Sequence, residues 1–205
     1  MSTQGHEPLT EKEILDGLAR SKCGKSRGPD GIPIEIYKTS EVCKKLLIRL
    51  FQTTWDAEDV PAKFAQATFT MLYKNKGSPD DPSKYRCIGL LNHAYKVFAQ
   101  CIHKRLEQQT AKFLSEWQAG FRSKRGCRDN VLVLRTLCDY ILRQDKKLYA
   151  TFIDYSAAFD TVSHRFIDVA LTKSGATNKS RAIFRAVYGA ATPRRKKYSY
   201  PGVCG

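Results

Sequence analysis

Leu148–Val162, LYATFIDYSAAFDTV, is the stretch on which the reading of this chain turns. Its first half is strand-like. Tyr149, Thr151 and Phe152 are aromatic or β-branched, and the run stays apolar through Ile153. It then meets a carboxylate, Asp154, and Tyr155. Small residues follow at Ser156, Ala157 and Ala158, then an aromatic, Phe159, and a second carboxylate, Asp160. The pattern predicts a strand that delivers Asp154 at its C-terminal end. An acid there is costly to desolvate without a partner. A hard cation such as Mg²⁺, which takes carboxylate and phosphate oxygens together, is one such partner. Small residues after the acid would let a phosphate chain approach the backbone, and the aromatic five residues on could floor a sugar pocket. A strand-end Asp also serves as a turn former or helix N-cap, a role that suits Asp160. The stretch by itself leaves both readings open.

The whole chain favours a polyanionic partner. It has 205 residues, 42% of them hydrophobic, and a formal net charge of +15. That is long enough and apolar enough for a real core, and the excess charge points to nucleic acid before a membrane surface. The seven cysteines (23, 43, 87, 101, 127, 138 and 204) include no C-x-x-C pair. Neither a disulfide framework nor a zinc site is expected, and none of the four histidines has a partner at ligand spacing. No apolar run approaches ~18 residues, and no N-terminal apolar leader is visible. The expectation is an intracellular protein with reduced thiols, neither secreted nor membrane-spanning.

Taken in order, residues 1–9 are polar and expected to be disordered. Thr10-Glu11-Lys12-Glu13 reads as a capping box for a helix that Gly24 stops. Gly28-Pro29-Asp30-Gly31 is a turn. Ser40 caps a helix whose apolar face is read as Val42, Leu46, Leu47, Leu50 and Phe51, with Trp55 at its end. Ala67–Tyr73 reads as a strand, and Leu72–Leu91 as two strands around a polar turn, with Lys74, Lys76, Lys84 and Arg86 at its base or flanks. Asn92 is expected to cap a helix carrying Tyr95, Phe98, Ile102 and Leu106. Trp117–Leu137, WQAGFRSKRGCRDNVLVLRTL, places Arg122, Lys124, Arg125 and Arg128 together with no acid until Asp129. Such a cluster suits a backbone-phosphate path. Gly120 is read as the tight-turn residue and Phe121 as its apolar anchor. The helix behind is expected to bury Val131, Leu134, Leu137, Cys138 and Ile141. Further on, Ser163 caps a helix ended by Gly175, and Asn178 caps another. From Val169 to the end there are eight Lys or Arg and no acid. Arg194–Lys197 fits a strand, a basic tail or a nuclear-import signal equally well.

These motifs resemble, in order, those of reverse transcriptases from non-LTR (LINE-type) retrotransposons. FID-YSA-AFD is similar to their motif A, aromatic-x-Asp, a short gap, then Ala-Phe-Asp, with Ala157 where Lys is frequent. Gly28-Pro29-Asp30-Gly31 before Ile32-Pro33 is similar to the opening of their fingers. Lys74, a polar Gly-containing turn and Tyr85-Arg86-Cys87-Ile88 resemble their fingers hairpin, with Cys87 where Pro is usual. Gln118-Ala119-Gly120-Phe121-Arg122 and the Asp129-Asn130 that leads a helix are likewise characteristic, with Gly126-Cys127 where Ser-Thr is common.

The resemblance implies an α/β (α+β) fold of right-hand polymerase type. A mostly helical fingers region with one β-hairpin would be followed by an incomplete palm with the motif-A strand as its leading element. Residues 10–145 would hold the fingers and the start of the palm, and residues 146–205 the palm through motif A. It implies RNA-templated DNA synthesis from dNTPs on a primer 3′-hydroxyl, with RNA template, DNA primer and dNTP as partners. Asp154 would be the catalytic metal ligand for Mg²⁺ (or Mn²⁺) in a completed palm. Lys74 and Arg86 would meet the nucleotide phosphates, and Tyr155, Ser156, Ala157, Ala158 and Phe159 would line the dNTP site. Phe159 would be the gate against a 2′-hydroxyl. Arg122, Lys124, Arg125 and Arg128 would hold nucleic acid, and a nuclear location is implied. Neither a motif B nor a Tyr-x-Asp-Asp motif C follows motif A in the 205 residues. The expectation is therefore an N-terminal portion, inactive alone and completed by a missing C-terminal half. The alternative is a non-catalytic nucleic-acid binder, a retroelement remnant.

Overall fold

The computed structural model describes residues 7–155 and 158–190, with Asp160 described by its backbone alone. Ser156, Ala157 and the basic run Arg194–Lys197 lie outside the described residues. The elements in chain order are α1 (Glu11–Arg20), α2 (Ile34–Thr39), α3 (Glu41–Ala57), β1 (Ala67–Tyr73), β2 (Tyr85–Leu91), α4 (His93–Thr110), α5 (Cys127–Arg143), α6 (Ala158–Thr161), α7 (His164–Lys173) and α8 (Asn178–Ala190). They form two compact units, Met1–Gln108 with Ala176–Gly205, and Gln109–Gly175.

The first unit holds the hydrophobic core. The Thr10 hydroxyl accepts from the Glu13 N–H and the Glu13 carboxylate accepts from the Thr10 N–H, so the capping box forms as the sequence predicts. Order begins upstream of Thr10. Leu9 is fully buried, its carbonyl accepts from the Gln52 amide, and Arg105 holds the Glu7 and Pro8 carbonyls. Phe51, Phe64, Tyr95 and Phe98 pack edge-to-face, with Phe51 and Phe98 centroids 5.2 Å apart. Ile183 and Val187 bring α8 into the same core. Lys179 fastens α8 further, through the Glu58 carboxylate at 3.1 Å and the Asp56 carbonyl.

Several expectations for this unit are corrected. On α3 the buried face is Leu47, Phe51, Thr54 and Trp55, while Val42, Leu46 and Leu50 are exposed. The buried stripe lies one row round from the apolar one, because Trp55 and Phe51 fill the space against α4. α1 ends at Arg20, capped by Ser21, before Gly24 is reached. Thr177, not Asn178, caps α8 through its hydroxyl, which accepts from the Ser180 N–H. The Asn92 side chain does not cap α4. It is 4% exposed and accepts from the Asp30 N–H, while its amide donates to the Lys63 and Phe64 carbonyls. One short side chain thus joins the Gly-Pro-Asp-Gly turn, the turn at Pro61–Phe64 and the start of α4. Gly28 lies so close that a Cβ there would stand 2.5 Å from the Asn92 N and Cα atoms.

The second unit carries α5, α6 and α7. Ser163 caps α7 as predicted, accepting from the Phe166 N–H. Leu148–Tyr155 is not a strand; it is irregular and exposed. The reason is physical: a strand is made by a ladder, and β1 with β2 is the one sheet among the described residues. The expected burial on α5 is also not found. Val131 and Leu137 are exposed, and Leu134, Cys138 and Ile141 are half-buried. The 3.6-residue period makes an amphipathic helix, but periodicity alone does not supply a surface to pack on.

Candidate functional site

The candidate groups lie in two places, one in each unit. In the first unit they sit on the hairpin. β1 and β2 pair antiparallel with Leu72 opposite Arg86 and Tyr73 opposite Tyr85, and the Lys74 N–H continues the ladder to the Lys84 carbonyl at 2.8 Å. Opposed residues share a face and alternate residues change it. Lys74 and Arg86 therefore belong to one face, and the tilted Tyr73 and Tyr85 rings, with centroids 5.3 Å apart, to the other. The two tyrosine hydroxyls donate to the Gly77 and Pro79 carbonyls and so stiffen the turn. Gly77, at φ +90°, is covered by the Lys84 side chain, and Lys84 pairs with Asp81. Lys74 is tied inward as well: its Nζ donates to the Ser83 carbonyl at 2.8 Å. Arg86 is exposed and has no side-chain partner among the described residues. Of the two expected phosphate contacts, Arg86 is the one with its charge uncommitted.

In the second unit the Trp117–Gly126 loop is stitched to itself and to α5. The Arg122 guanidinium donates to the Ser115 carbonyl at 2.7 Å. The Asn130 amide donates to the Trp117 carbonyl, and the Gly126 N–H donates to the Asp129 carboxylate. The Asp129-Asn130 pair thus has a structural role: one residue caps α5 and the other pins the loop to its first turn. The left-handed positions are Phe121 (φ +58°) and Lys124 (φ +59°); Gly120 is not one of them. Phe121 is not buried as an anchor. It is 92% exposed, and it forms a T-shaped pair with Phe159, the ring centroids 6.1 Å apart and the planes at 88°. Lys124, Arg125 and Arg128 have no side-chain partner among the described residues. Arg122 is partly committed to holding the loop.

Asp154 and Tyr155 are exposed in the irregular segment, and Ala158 and Phe159 open the short α6. A divalent ion of the Mg²⁺ type takes about six oxygen ligands. Among the described residues no group of three His, Cys, Asp or Glu is assembled to hold one. The Asp154 carboxylate is the one such oxygen donor that this segment presents among its described side chains. Sequence reasoning missed Asn92 as a hub and Trp117 as an exposed aromatic. Asn92 had a signal, since it stands at a strand-helix junction where a buried amide can serve several backbones. Trp117 had none beyond its basic neighbourhood.

Known proteins resemble this chain over most of its length. The profile of the family "Reverse transcriptase (RNA-dependent DNA polymerase)" matches residues 73–203, from the hairpin through the Asp154 stretch. The chain belongs to the reverse transcriptase family. It is 27% identical over 161 residues (78% of this chain, 12% of that protein) to the Transposon TX1 uncharacterized 149 kDa protein of Xenopus laevis. It is 27% identical over 188 residues (89% and 19%) to the probable RNA-directed DNA polymerase from transposon BS of Drosophila melanogaster. It is 23% identical over 181 residues (88% and 17%) to the Pol polyprotein from type-1 retrotransposable element R2 of Nasonia vitripennis. The chain spans less than a quarter of the length of these curated relatives. Among the described residues no helix is long and apolar enough to cross a membrane.

Proposed function

We propose that this chain is the N-terminal, substrate-holding part of an RNA-directed DNA polymerase of the non-LTR retrotransposon kind. One observation carries the reading: a single reverse transcriptase match runs from residue 73 to residue 203 and spans the hairpin's turn and second strand, the basic loop and the Asp154 stretch. Residues 10–145 then serve as fingers with the start of the palm, and residues 146–205 as the palm through motif A. In this reading Arg86, seconded by Lys74, neutralises the triphosphate of the incoming dNTP; a guanidinium presents paired donors that match phosphate oxygens. Lys124, Arg125 and Arg128, with the free donors of Arg122, track the phosphates of template or primer. Phe159 lies under the sugar, and Tyr155, Ser156, Ala157 and Ala158 belong to the same dNTP site.

Asp154 would supply one carboxylate ligand to Mg²⁺ or Mn²⁺, with the other carboxylates coming from the completed palm. Bound there, the metal would activate the attacking 3′-hydroxyl and offset charge on the triphosphate. The reaction takes place inside the cell, in the nucleus. The test is primer extension on an RNA template, comparing the 205-residue chain with the polymerase that contains it. The longer protein extends the primer and Asp154→Ala abolishes extension; the chain alone gives none. A longer protein that binds template but never extends it, whatever residue stands at 154, assigns the chain to non-catalytic nucleic-acid binding.

A further inference from the structure

The two tryptophans of this chain occupy opposite environments. Trp55 is fully buried, with the Arg105 guanidinium 4.6 Å from its ring centroid. Trp117 is 79% exposed. Water-facing indole surface of that size is unusual on a backbone that is held in place, and this backbone is held. The Trp117 N–H donates to the Ser115 hydroxyl at 3.3 Å, the Gln118 N–H closes a turn on the Ser115 carbonyl at 3.1 Å, and Asn130 and Arg122 clamp the two ends. The indole therefore projects from a fixed turn. Within eleven residues follow the three uncommitted cations, Lys124, Arg125 and Arg128. A rigid exposed aromatic beside a basic loop is the pairing that binds single-stranded nucleic acid: the cations take the phosphates and the ring takes an unpaired base. A duplex keeps its bases stacked and offers this ring nothing.

We propose that Trp117 is a stacking platform for one unpaired nucleobase of a single strand whose phosphates are held by Lys124, Arg125 and Arg128. This goes beyond the charge-based contact proposed above and rests on the reading that the Arg122–Arg128 loop binds nucleic acid. Preorganisation by the Ser115–Gln118 turn keeps the ordering cost low. A lipid surface also attracts basic and aromatic residues together. Nucleic acid is the better occupant, because the reverse transcriptase match includes this loop.

The intact chain supplies its own probe, since Trp117 can be quenched by a stacked base while buried Trp55 stays bright. Titrating a 12-nucleotide oligo(U) should give saturable partial quenching; a 12-base-pair duplex should bind through charge without it. Trp117→Ala should weaken oligo(U) binding about five- to a hundredfold, the range of one base–aromatic stack, and leave duplex binding within twofold. Trp117→Phe should restore most of the lost affinity, and an abasic 12-mer should bind the wild type no better than Trp117→Ala binds oligo(U). Unchanged oligo(U) affinity in Trp117→Ala, with salt-dependent binding intact, overturns the stacking proposal and leaves the charge reading standing. No binding of either strand form at low salt removes both. Quenching by phosphatidylserine vesicles that oligo(U) does not compete away would reassign the indole to a membrane surface and overturn the proposal.

Discussion

The Arg105 guanidinium grips the Glu13 carboxylate through two nitrogens, Nε at 2.8 Å and Nη2 at 2.7 Å. The same side chain holds the Glu7 and Pro8 carbonyls and lies over Trp55, so one residue of α4 fixes α1, the segment before it and α3. Burial opposes the Glu13 charge, but Arg105 and the Thr10 N–H and hydroxyl more than offset it and hold the pKa at about 2, against an ordinary value of 4.5. The sign follows. A depressed carboxylate stabilises the fold fully above pH 4.5, and that contribution is lost as pH falls from 4.5 through about 2. Glu13→Gln should be less stable than wild type at neutral pH and show a flatter loss of stability over that window. Arg105→Ala should cost roughly 2 kcal/mol or more, since it strands a partly buried acid, and Arg105→Lys should recover less than half because it lacks the fork. Urea unfolding at pH 7 and pH 3 decides; parallel pH profiles for wild type and Glu13→Gln would contradict the assignment.

Gly28 gives a second prediction. Its missing side chain is required by the Asn92 backbone, which a Cβ would meet at 2.5 Å. Backbone does not yield as a flexible side chain does. Gly28→Ala should therefore cost about 1–3 kcal/mol, as overpacking does. Asn92→Ala should cost a similar amount by leaving the Asp30 N–H and the Phe64 carbonyl unpaired. The two losses should not add, because both variants break the same junction. The double-mutant cycle in urea tests this, and simple additivity would refute the shared junction.

The limits of the sequence reading follow from the same residues. The Thr10–Glu13 box and the Ser40 and Ser163 caps were legible because a cap is a local bond between residues three apart. The hairpin was legible because alternation and a polar turn occur in one contiguous run. The strand expected before Asp154 does not form. Tyr149, Phe152 and Ile153 carry the propensity, but a strand needs a partner at its edge, and propensity cannot provide one. The α5 face failed for the same reason. For the site, residue types were legible but commitments were not. Nothing in the order of residues says that Lys74 reaches back to Ser83, that Arg122 holds Ser115, or that Arg86, Lys124, Arg125 and Arg128 stay uncommitted.

Those commitments give a third prediction. Arg125→Ala and Arg128→Ala remove free charges, so each should lower the slope of log affinity against log salt by about 0.7 on single strands, per phosphate lost. Arg122→Ala should do more than that, lowering affinity and loosening the loop together. Filter binding of oligo(U) between low and moderate salt gives the slopes, and thermal melting gives the stability. A wild-type affinity that is flat with salt would remove the charge reading.

The fourth prediction concerns Phe159. Its ring is 84% exposed, and its described aromatic neighbour is Phe121, in a T-shaped pair with centroids 6.1 Å apart. Phe121 stands at φ +58°, a conformation costly for a bulky residue. An exposed ring braced by a strained neighbour is a poor core residue, and its open face has room for a sugar. If the sugar of the incoming nucleotide lies on it, a 2′-hydroxyl meets carbon at less than van der Waals distance. Overpacking of that kind costs ~1–3 kcal/mol, and each 1.36 kcal/mol is tenfold in rate. The ratio of kcat/KM for dGTP over GTP, measured in a domain completed with motifs B and C, should therefore fall about ten- to a hundredfold in Phe159→Val while dGTP use survives. Phe121→Ala removes an edge-to-face contact worth about 0.5–1.5 kcal/mol. It should lower the same ratio by roughly two- to tenfold, because the ring is then free to tilt away. Phe121→Leu, which cannot form an aromatic pair, should behave like Phe121→Ala. If both rates fall together and the ratio holds in Phe159→Val, the ring supports the palm instead of selecting the sugar. If the ratio collapses in Phe159→Val but is untouched in Phe121→Ala, the gate stands and the Phe121 brace is withdrawn.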